Sequence, residues 1–424
     1  GVTAINSPGG TEAAENRLLR GGPPATDIGG VTLADTPIAS AKHITSGGTP
    51  TLYIMGASGH LYTYASLASS ITDLRTGSPA ALANSANGLA VYRPKNGAAY
   101  LYYSGKTFIG RYGDLDGSPS FSDSWQTGLT SSTQHPLHVF QDSLYFGNYN
   151  KVGKIYDNGV SDATIDLNVL DIPANHLITA IADDGVYLAI ATTDNVSSTA
   201  VFGTTKILFW DGYSSSWLRD YTITDQFIVS LTRVGNTLLA QGQRGIYQIS
   251  FAGGVKKLLS RSTGLGTTGS TRQIGPHLAA PYLQEGYIFA WQQFVGTMGK
   301  MDDQVPQAFM MPIKLTTNSS IDASMVQTQY DVGRIIVGTN EPKLQVYSFS
   351  NITSAQTSVT AQTVYLTLPT RFAISRIEVV FGEPLVSGDA MDIDIYTDQD
   401  TSVIDFGSAS YTSDGSIRRK SMLP

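Results

Sequence analysis

Apolar residues recur along this chain as paired short runs, and the pairs return at near-even intervals. The first three pairs read TLYIMGASGHLYTY from Thr51, AAYLYYSGKTFIGRY from Ala98 and SLYFGNYNKVGKIYD from Ser143. Two runs rich in β-branched and aromatic residues around a Gly, Ser or Asn turn predict two strands joined as a hairpin. Seven such hairpins occur about 42 to 52 residues apart, judged by the positions Leu52, Ala99, Leu144, Val186, Leu238, Ile288 and Ile335.

This interval is the length of a four-stranded propeller blade. A further alternating run precedes each hairpin, for example KHITSGG before the first and QHPLHVFQDS before the third. One blade has two apolar faces that it cannot bury alone, and stacking blades around an axis buries both. The sequence therefore predicts an all-β fold, a β-propeller with seven blades as the favoured count. Eight blades stay open, since segments outside the repeats could supply strands.

The repeats occupy residues 41–369, and the flanking segments have other patterns. Residues 1–40 are rich in Gly, Pro, Ala and Thr. They predict an extended N-terminal arm that wraps the propeller, donates a strand that closes it, or lies on a neighbouring subunit. Residues 370–424 contain the runs IEVVF and MDIDIY, which predict an additional C-terminal antiparallel β module. Because this module is short for an independent sandwich, it packs on the propeller, pairs with another chain or is incomplete.

Both flanking segments need something to lie against. The arm has scattered apolar residues but no periodicity for a core of its own, and the C-terminal module offers strand edges. We expect contacts between subunits to concentrate at these two ends rather than on the blade faces. Deleting residues 1–40 is expected to leave a folded propeller that no longer assembles.

Composition narrows the classes of protein. Charged residues make up 14% of the chain, below the roughly 25% usual for soluble domains, and hydroxyl and amide groups supply much of the polarity, as in secreted and virion proteins. The net charge is −7 without a long basic run, so we expect no nucleic-acid recognition. Cysteine is absent, which excludes disulfides, thiolate metal sites and a cysteine nucleophile. No apolar run reaches the roughly 18 residues of a membrane-spanning helix, so no membrane span is predicted.

Catalytic motifs are missing from the sequence. There is no GxSxG elbow, HExxH, Walker loop or GxGxxG between a strand and a helix. Five aspartates lie in or near blade turns, where a propeller glycosidase could place paired acids, although turn formation is the commoner reason for Asp there. They are Asp183, Asp184, Asp211, Asp225 and Asp331. We predict no enzyme activity, assign no catalytic, cofactor-binding or metal-ligating residue, and expect Asp183→Asn and Asp184→Asn to affect stability slightly.

Two segments resemble fragments of calcium-binding loops. They are GDLDGS at residues 113–118 and YTDQD at residues 396–400. Both lack the later bidentate acid of such a loop, and a hairpin turn explains the DG of the first equally well. His135 and His138 stand three apart on a predicted strand, where their side chains point to opposite faces and do not chelate. We therefore predict no metal site and no cofactor.

Histidines and tyrosines have repeated positions relative to the hairpins. Four histidines precede their hairpins by similar distances, which predicts either caps on loop carbonyls at strand ends or a pH-sensitive ring: His43, His135, His176 and His277. Nine tyrosines crowd the first blades, where they either pack between blades or form a stacking surface for sugars or a partner protein. These are Tyr53, Tyr62, Tyr64, Tyr100, Tyr102, Tyr103, Tyr145, Tyr149 and Tyr156.

Two short segments resemble tailed-bacteriophage virion proteins. One is ILFWDG at residues 207–212, followed by a serine loop and Trp217, and the other is RIEVVFGEPLVSGDAMDIDIYTDQD at residues 376–400. Proteins of that family pair a propeller with a β-rich C-terminal domain. The resemblance implies a non-catalytic structural protein of the phage tail, a ring, nozzle, hub or fibre component, located in the virion. Its partners would be other copies of itself and other virion proteins.

A function of another class stays open at this point. A secreted carbohydrate-binding propeller, or a polysaccharide-active enzyme, fits the same repeat and would make a host-surface glycan a partner. Catalytic acids paired on the inner strands would favour it. The host, the position in the tail, the receptor and the oligomeric state do not follow from the sequence.

Overall fold

The computed structural model shows an all-β chain. It describes residues 33–260 apart from 66–70, 77–80, 83–84, 96, 133, 160–162, 195–203, 226–227, 235–236 and 243–244. Outside that stretch it describes residues 26–27, residue 343 and the strand segments given below. The described residues form strands and turns without a helix. The chain divides into two compact units, Arg20–Val359 and a second unit of Gly1–Leu19 with Thr360–Pro424.

Five consecutive four-stranded antiparallel sheets have the arrangement of a propeller, and we call them blades 1 to 5. A short strand, β1 (Thr26–Asp27), precedes them. Blade 1 contains β2 (Pro37–Ile44), β3 (Pro50–Gly56), β4 (Leu61–Ala65) and β5 (Thr72–Asp73). Blade 2 contains β6 (Ser85–Tyr92), β7 (Tyr100–Gly105), β8 (Phe108–Gly113) and β9 (Ser120–Thr127). Blade 3 contains β10 (Leu137–Phe140), β11 (Ser143–Asn148), β12 (Lys151–Asp157) and β13 (Ala163–Asp171).

Blades 4 and 5 continue the series. Blade 4 contains β14 (Leu177–Asp183), β15 (Leu188–Thr193), β16 (Thr205–Trp210) and β17 (Arg219–Ile223). Blade 5 contains β18 (Ile228–Val234), β19 (Thr237–Gly242), β20 (Gly245–Ser250) and β21 (Gly254–Ser260). The first strand of every blade lies beside the first strand of the next, so we call these the inner strands and the fourth strands the outer strands.

Two more sheets belong to the first unit. One contains β22 (Ala279–Tyr282), β23 (Tyr287–Gln292), β24 (Val295–Met301), β25 (Pro306–Gln307) and β26 (Ile313–Lys314). The other contains β27 (Ala323–Gln329), β28 (Arg334–Thr339), β29 (Leu344–Ser348) and β1. The second unit has two antiparallel pairs, β30 (Ile377–Val380) with β33 (Arg419–Met422), and β31 (Ala390–Thr397) with β32 (Asp400–Ser410).

Burial explains why the middle strands read as continuous apolar runs. Every residue of β11 and β15 is buried, because a neighbouring blade covers each face. The outer strand β9, SFSDSWQT, alternates between exposed and half-buried positions, since only one of its faces is covered. The hydrophobic pattern therefore changes from continuous to alternating between the middle of a blade and its outer edge.

The core is divided among the gaps between sheets. In blade 1, Tyr53 and Met55 pack toward blade 2, whereas Leu52 and Ile54 pack with Met325 of β27. Further clusters fill the gaps between blades 2 and 3, 3 and 4, and 4 and 5. Fully burying one such Leu or Ile stabilises the fold by roughly 1.5–3 kcal/mol relative to leaving it exposed, so these gaps are the main source of stability.

Five of the seven predicted hairpin positions lie on the second strand of a blade or sheet, whereas Ala99 lies one residue before β7 and Val186 lies in the turn before β15. Leu52, Leu144 and Leu238 are buried on β3, β11 and β19. Val186, however, is 60% exposed in the turn before β15. The carboxylate of Asp184 accepts the Val186 and Tyr187 amides at 2.9 and 2.7 Å, and this tight turn delays the buried run until Leu188.

The predicted arm of residues 1–40 contains strand β1 and the start of strand β2. β2 begins at Pro37, before the expected boundary at residue 41, and β1 pairs with β29 so that Thr26 lies opposite Val346. Strand addition satisfies the backbone groups of β1 at an otherwise open edge. Deleting residues 1–40 would thus remove β1 and half of β2, and the expectation that this truncation leaves a folded propeller stays a prediction.

Candidate functional site: an interlocked turn rim

One end of the propeller, which we call the turn rim, carries Asp116, Asp183, Asp184 and Asp211. At this end of a blade, one turn connects the inner strand to the second strand, and another connects the third strand to the outer strand. The first kind of turn covers residues 45–49, 93–99, 141–142 and 184–187, and the second covers residues 114–119, 211–218 and 251–253. Turns of neighbouring blades contact each other along this rim.

Asp116 joins blades 1 and 2. One carboxylate oxygen accepts the Ser46 amide at 2.9 Å and lies 3.0 Å from Nε2 of His43, and the other pairs with Arg93. The His43 hydrogen bond, with the Ser46 amide and the charges of His43 and Arg93, outweighs desolvation and holds the pKa of Asp116 below its usual value. The predicted GDLDGS calcium fragment is therefore used as a contact between blades.

Asp183 connects three blades through its two oxygens. Oδ2 lies 2.7 Å from His138 Nε2 on the inner strand of blade 3, and Oδ1 lies 2.9 Å from Arg233 Nη1 on the inner strand of blade 5. Burial alone would raise the pKa of Asp183, but the His138 hydrogen bond and the two positive charges lower it overall. The interpretation of Asp183 as only a turn residue is too narrow, because its carboxylate crosslinks neighbouring inner strands.

Aromatic and backbone contacts join the remaining turns. Tyr92 of blade 2 donates its hydroxyl to the Asp142 carbonyl of blade 3 at 2.8 Å. Tyr145 of blade 3 donates to the Gly212 carbonyl of blade 4 at 3.4 Å. Tyr187 of blade 4 stacks on Phe251 of blade 5 with ring centroids 4.2 Å apart. The turn rim is thus fixed by one contact or more at each of the four junctions between blades 1 and 5.

The other candidate aspartates divide into two groups. The turn interpretation is confirmed for Asp184 and for Asp211, whose carboxylate accepts the Tyr213 and Ser214 amides at 3.0 and 2.8 Å. Asp225 is 1% exposed and accepts the Tyr247 hydroxyl at 3.0 Å, so it is a buried link. Asp331 lies outside the described residues.

The three described histidines of this set do not lie at the same end of the inner strands. His43 lies near the end of inner strand β2, whereas His135 and His176 precede inner strands β10 and β14, at the opposite end. The carbonyl-capping interpretation is confirmed for His135, whose ring nitrogens lie 2.7 Å from the Gly147 carbonyl and 3.0 Å from the Lys106 carbonyl. Burial lowers the pKa of His135 and favours a neutral ring, which donates to one carbonyl at a time. His277 lies outside the described residues.

A recurring carboxylate link escaped the sequence analysis. Asp35, ahead of β2, accepts the Tyr62 hydroxyl at 2.7 Å and lies against Gly56, where a Cβ would meet its Oδ1 at 1.8 Å. Asp225, Tyr247 and Gly242 repeat the arrangement in blade 5. An Asp just before an inner strand, combined with a later Gly and Tyr at similar spacing, was the available signal.

Blades 1 and 2 share a second buried link that the sequence does not reveal. Arg75, 2% exposed, bonds Asp123 at 2.5 Å and the Tyr103 hydroxyl at 3.0 Å, and Tyr103 donates to Asp123 at 2.6 Å. The guanidinium also lies over the Phe121 ring, 4.0 Å from its centroid. Only the cation of this ion pair is buried, since the Asp123 side chain is 40% exposed, and the hydrogen bonds of Arg75 fix the geometry of the two blades.

The predicted packing role of the tyrosines is confirmed for most of them. Six are buried between blades, and three are half-buried. The buried ones are Tyr53, Tyr62, Tyr64, Tyr102, Tyr103 and Tyr145. Within the resemblance segment at residues 207–212, Trp210 is buried and donates its Nε1 proton to the Ser214 carbonyl at 2.7 Å.

Among the described residues, no group of three His, Asp or Glu side chains could hold a metal ion. His135 and His138 bond different partners and do not converge. Part of the second calcium-like fragment, residues 398–399, lies outside the described residues. The described residues contain no helix with the length and apolar character needed to cross a membrane.

Comparisons with known proteins add little to this geometry. No family model matches the chain. No curated protein matches it either. A chain from the crystal structure of the Mitotic Checkpoint Complex aligns with 81% of this chain and 96% of its own length, at 12% sequence identity and a TM-score of 0.49. An alignment at that level carries no argument about function.

Proposed function

We propose that this protein is a non-catalytic structural component that acts through protein–protein assembly. The observation that supports the proposal is that three acidic side chains bond groups of other strands or blades. Asp116, Asp183 and Asp225, three of the acids that an active site could have recruited, bond groups that hold blades or strands together. A propeller whose acids serve as crosslinks is suited to be a rigid building block.

The context that we propose is the tail of a bacteriophage, as a ring, nozzle, hub or fibre component of the virion. Support comes from the resemblance of residues 207–212 and 376–400 to virion proteins, and from the low-charge, cysteine-free composition. The two flanking segments, with their strands β1 and β30 to β33, extend the propeller with material suited to contacts between subunits. Partners in this proposal are other copies of the chain and other virion proteins.

We also propose that the propeller has seven blades. The β22–β26 sheet and the β27–β29 sheet follow blades 1 to 5 in the chain, and each has four or more strands. β22 lies beside the inner strands β18 and β27, and β27 lies beside β2. An experimental structure with a different number of blades would refute the count.

Mass measurement of the full-length protein under native conditions tests the assembly function. We expect a ring-sized homo-oligomer, or association with particles, at micromolar concentration. A monomer at every concentration would contradict the proposal. In parallel, Asp183→Asn should lower stability without abolishing any hydrolytic activity, and loss of such an activity with the fold intact would identify an enzyme.

A carbohydrate-binding propeller remains the second candidate, favoured by one observation. Tyr213 is 74% exposed in a serine-rich loop of the turn rim, a position from which an aromatic ring can stack on a sugar. A glycan-array screen of the wild type and of Tyr213→Ala tests it. Binding by the wild type that Tyr213→Ala abolishes would support this candidate, and absence of binding would remove it.

A further inference from the structure

The exposed large apolar side chains are not scattered over the surface. Every one of them among the described residues lies at the turn-rim end of a blade, with 38% to 74% of the side chain exposed: Ile44, Val139, Val186, Tyr213 and Leu218. In the described part of the opposite rim, no large apolar side chain is exposed. Apolar side chains concentrated on one surface mark an interaction site.

These residues are carried by turns that are already held in place. Ile44 ends β2 next to the His43–Asp116 contact, and Val186 precedes Tyr187, which stacks on Phe251. Tyr213 follows Gly212, whose carbonyl accepts the Tyr145 hydroxyl. A partner that binds such a surface has little loop-ordering entropy to overcome.

Two opposite charges lie on adjacent turns of this rim without an ion pair. Lys95, exposed in the blade 2 turn, forms no salt bridge with any described residue. Asp142, exposed in the blade 3 turn, also forms none within the described residues. The hydroxyl of Tyr92 bonds the Asp142 carbonyl at 2.8 Å, so the two turns are neighbours. The rim thus carries an exposed cation, Lys95, and an exposed anion, Asp142, on two neighbouring turns.

We propose that the turn rim binds the turn rim of a second copy of this chain, around a two-fold axis near the junction of blades 2 and 3. In a two-fold interface each residue meets its counterpart reciprocally, so Lys95 of each copy faces Asp142 of the other. The apolar side chains on both sides of this junction then exclude water from the two charge pairs. This inference rests on the proposed assembly function and adds a contact surface on the propeller to the two flanking segments, where the sequence analysis expects the contacts to concentrate.

The charges favour a second copy over other occupants. A neutral glycan would leave both charges unpaired, and a nucleic acid would require a predominantly basic surface. A self-complementary pair of opposite charges needs a partner with the same pattern, and another copy supplies it.

Charge substitution in the full-length protein tests the arrangement. Lys95→Glu places two carboxylates opposite each other at both contacts, and we expect the dimer Kd to rise at least about tenfold. Asp142→Asn in the Lys95→Glu background removes the repulsion, and should recover most of that loss. Asn is chosen because Asp142 has a φ of 57°, which Asn tolerates in this two-residue turn. Lys106→Glu makes the same charge change at the opposite rim and serves as the matched control.

Sedimentation equilibrium over a range of concentrations, with thermal melting to confirm folding, gives the readout. Tyr213→Ser provides a second variant that removes apolar area without altering charge, and should also weaken the dimer. If the wild type assembles and the Lys95, Asp142 and Tyr213 variants assemble equally well, the rim inference is overturned while the assembly function stands. A monomeric wild type would overturn both the rim inference and the assembly function. Both would also be overturned if the wild type were a monomer that binds a glycan and the rim variants lost that binding.

Discussion

Two regions of the propeller bury polar side chains, and they differ in whether those side chains are hydrogen-bonded. Between blades 1 and 2, the buried side chains of Arg75 and Tyr103 bond each other and Asp123, whose side chain is 40% exposed. On the side of blade 5 that faces away from blade 4, Ser230 and Gln241 lie opposite each other on β18 and β19 and are fully buried. Neither of these two side chains has a hydrogen-bond partner among the described residues.

The difference teaches that pairing, rather than polarity, decides the effect of a buried group. A charge in a gap between blades is tolerated where acceptors converge on it, and it then fixes the register of the two blades. An unpaired amide in a similar place carries its full desolvation penalty. Removing a polar group from the gap between blades 1 and 2 should therefore lower the free energy of unfolding. Removing one from the side of blade 5 that faces away from blade 4 should raise it.

The largest effect is expected from Arg75→Met. Among the described residues, Arg75 supplies the only guanidinium in contact with Asp123 and Tyr103, and the substitution leaves their polar groups without a cation. We expect the free energy of unfolding to fall by about 3 kcal/mol, measured by urea denaturation. Lys206→Met is the control, because the Lys206–Asp220 pair at 3.0 Å lies on the surface and should contribute less than about 1 kcal/mol. Equal losses for both variants would erase the contrast between buried and exposed pairs.

Asp225→Ala should have the next largest effect. It removes the acceptor of the buried Tyr247 hydroxyl, which is expected to lower stability by about 2 kcal/mol. Asp225→Asn keeps an acceptor oxygen and should recover part of this loss. If Asn and Ala were equally destabilising, the charge of Asp225 rather than its hydrogen bond would be responsible.

Acidification should weaken the gap between blades 1 and 2. Burial raises the pKa of Asp123, but hydrogen bonds from Arg75 and Tyr103 outweigh this and lower it overall. A carboxyl with a lowered folded-state pKa contributes stability that is present above its unfolded value, about 3.9. This contribution is lost as pH falls through the folded-state value. Melting temperatures can be measured from about pH 6 down to about pH 3, the range in which this contribution is lost. As the pH falls, they should decrease more steeply for the wild type than for Arg75→Met. If the two curves were parallel, the pairing of Asp123 with Arg75 would not account for the pH dependence.

The smallest effect, and one of opposite sign, is expected at Gln241. Gln241→Leu replaces an unsatisfied amide by a side chain of similar volume, and should raise stability by up to about 1 kcal/mol. Gln126→Leu on the outer strand β9 is the control and should change little. A loss of more than about 1 kcal/mol at Gln241 would show that its amide is hydrogen-bonded in solution, for example to buried water.

The repeat was predictable because it reflects local burial. Runs such as SLYFGN and ILFW are covered on both faces, so the sequence carries a continuous apolar signal wherever a middle strand occurs. The outer strands and boundaries were harder, because β1 and β5 have two residues each and leave no recognisable pattern. The exposed Val186 shows the same limit, since an apolar residue in a turn resembles the start of a strand.

The polar links were only partly predictable. Turn aspartates such as Asp184 and Asp211 bond amides two or three residues away, so local sequence suffices to identify them. Arg75 and Asp123 are 48 residues apart, and their partnership is created by the stacking of two blades. For the same reason, the sequence predicted either a carbonyl cap or a pH-sensitive ring for His43, while its actual partner Asp116 lies 73 residues further along the chain.

The pairing of β1 with β29 has a consequence for synthesis of the chain. Thr26 and Val346 are about 320 residues apart, so β1 is made early and has no partner until β29 has been made. Contacts of such separation form late, because loop closure must precede them. After β29 has been made and before β1 pairs with it, the edge of β29 is open to a strand from another chain. The pairing of β1 therefore protects the β27–β29 sheet against domain swapping, and nascent chains are most vulnerable to mispairing before it forms.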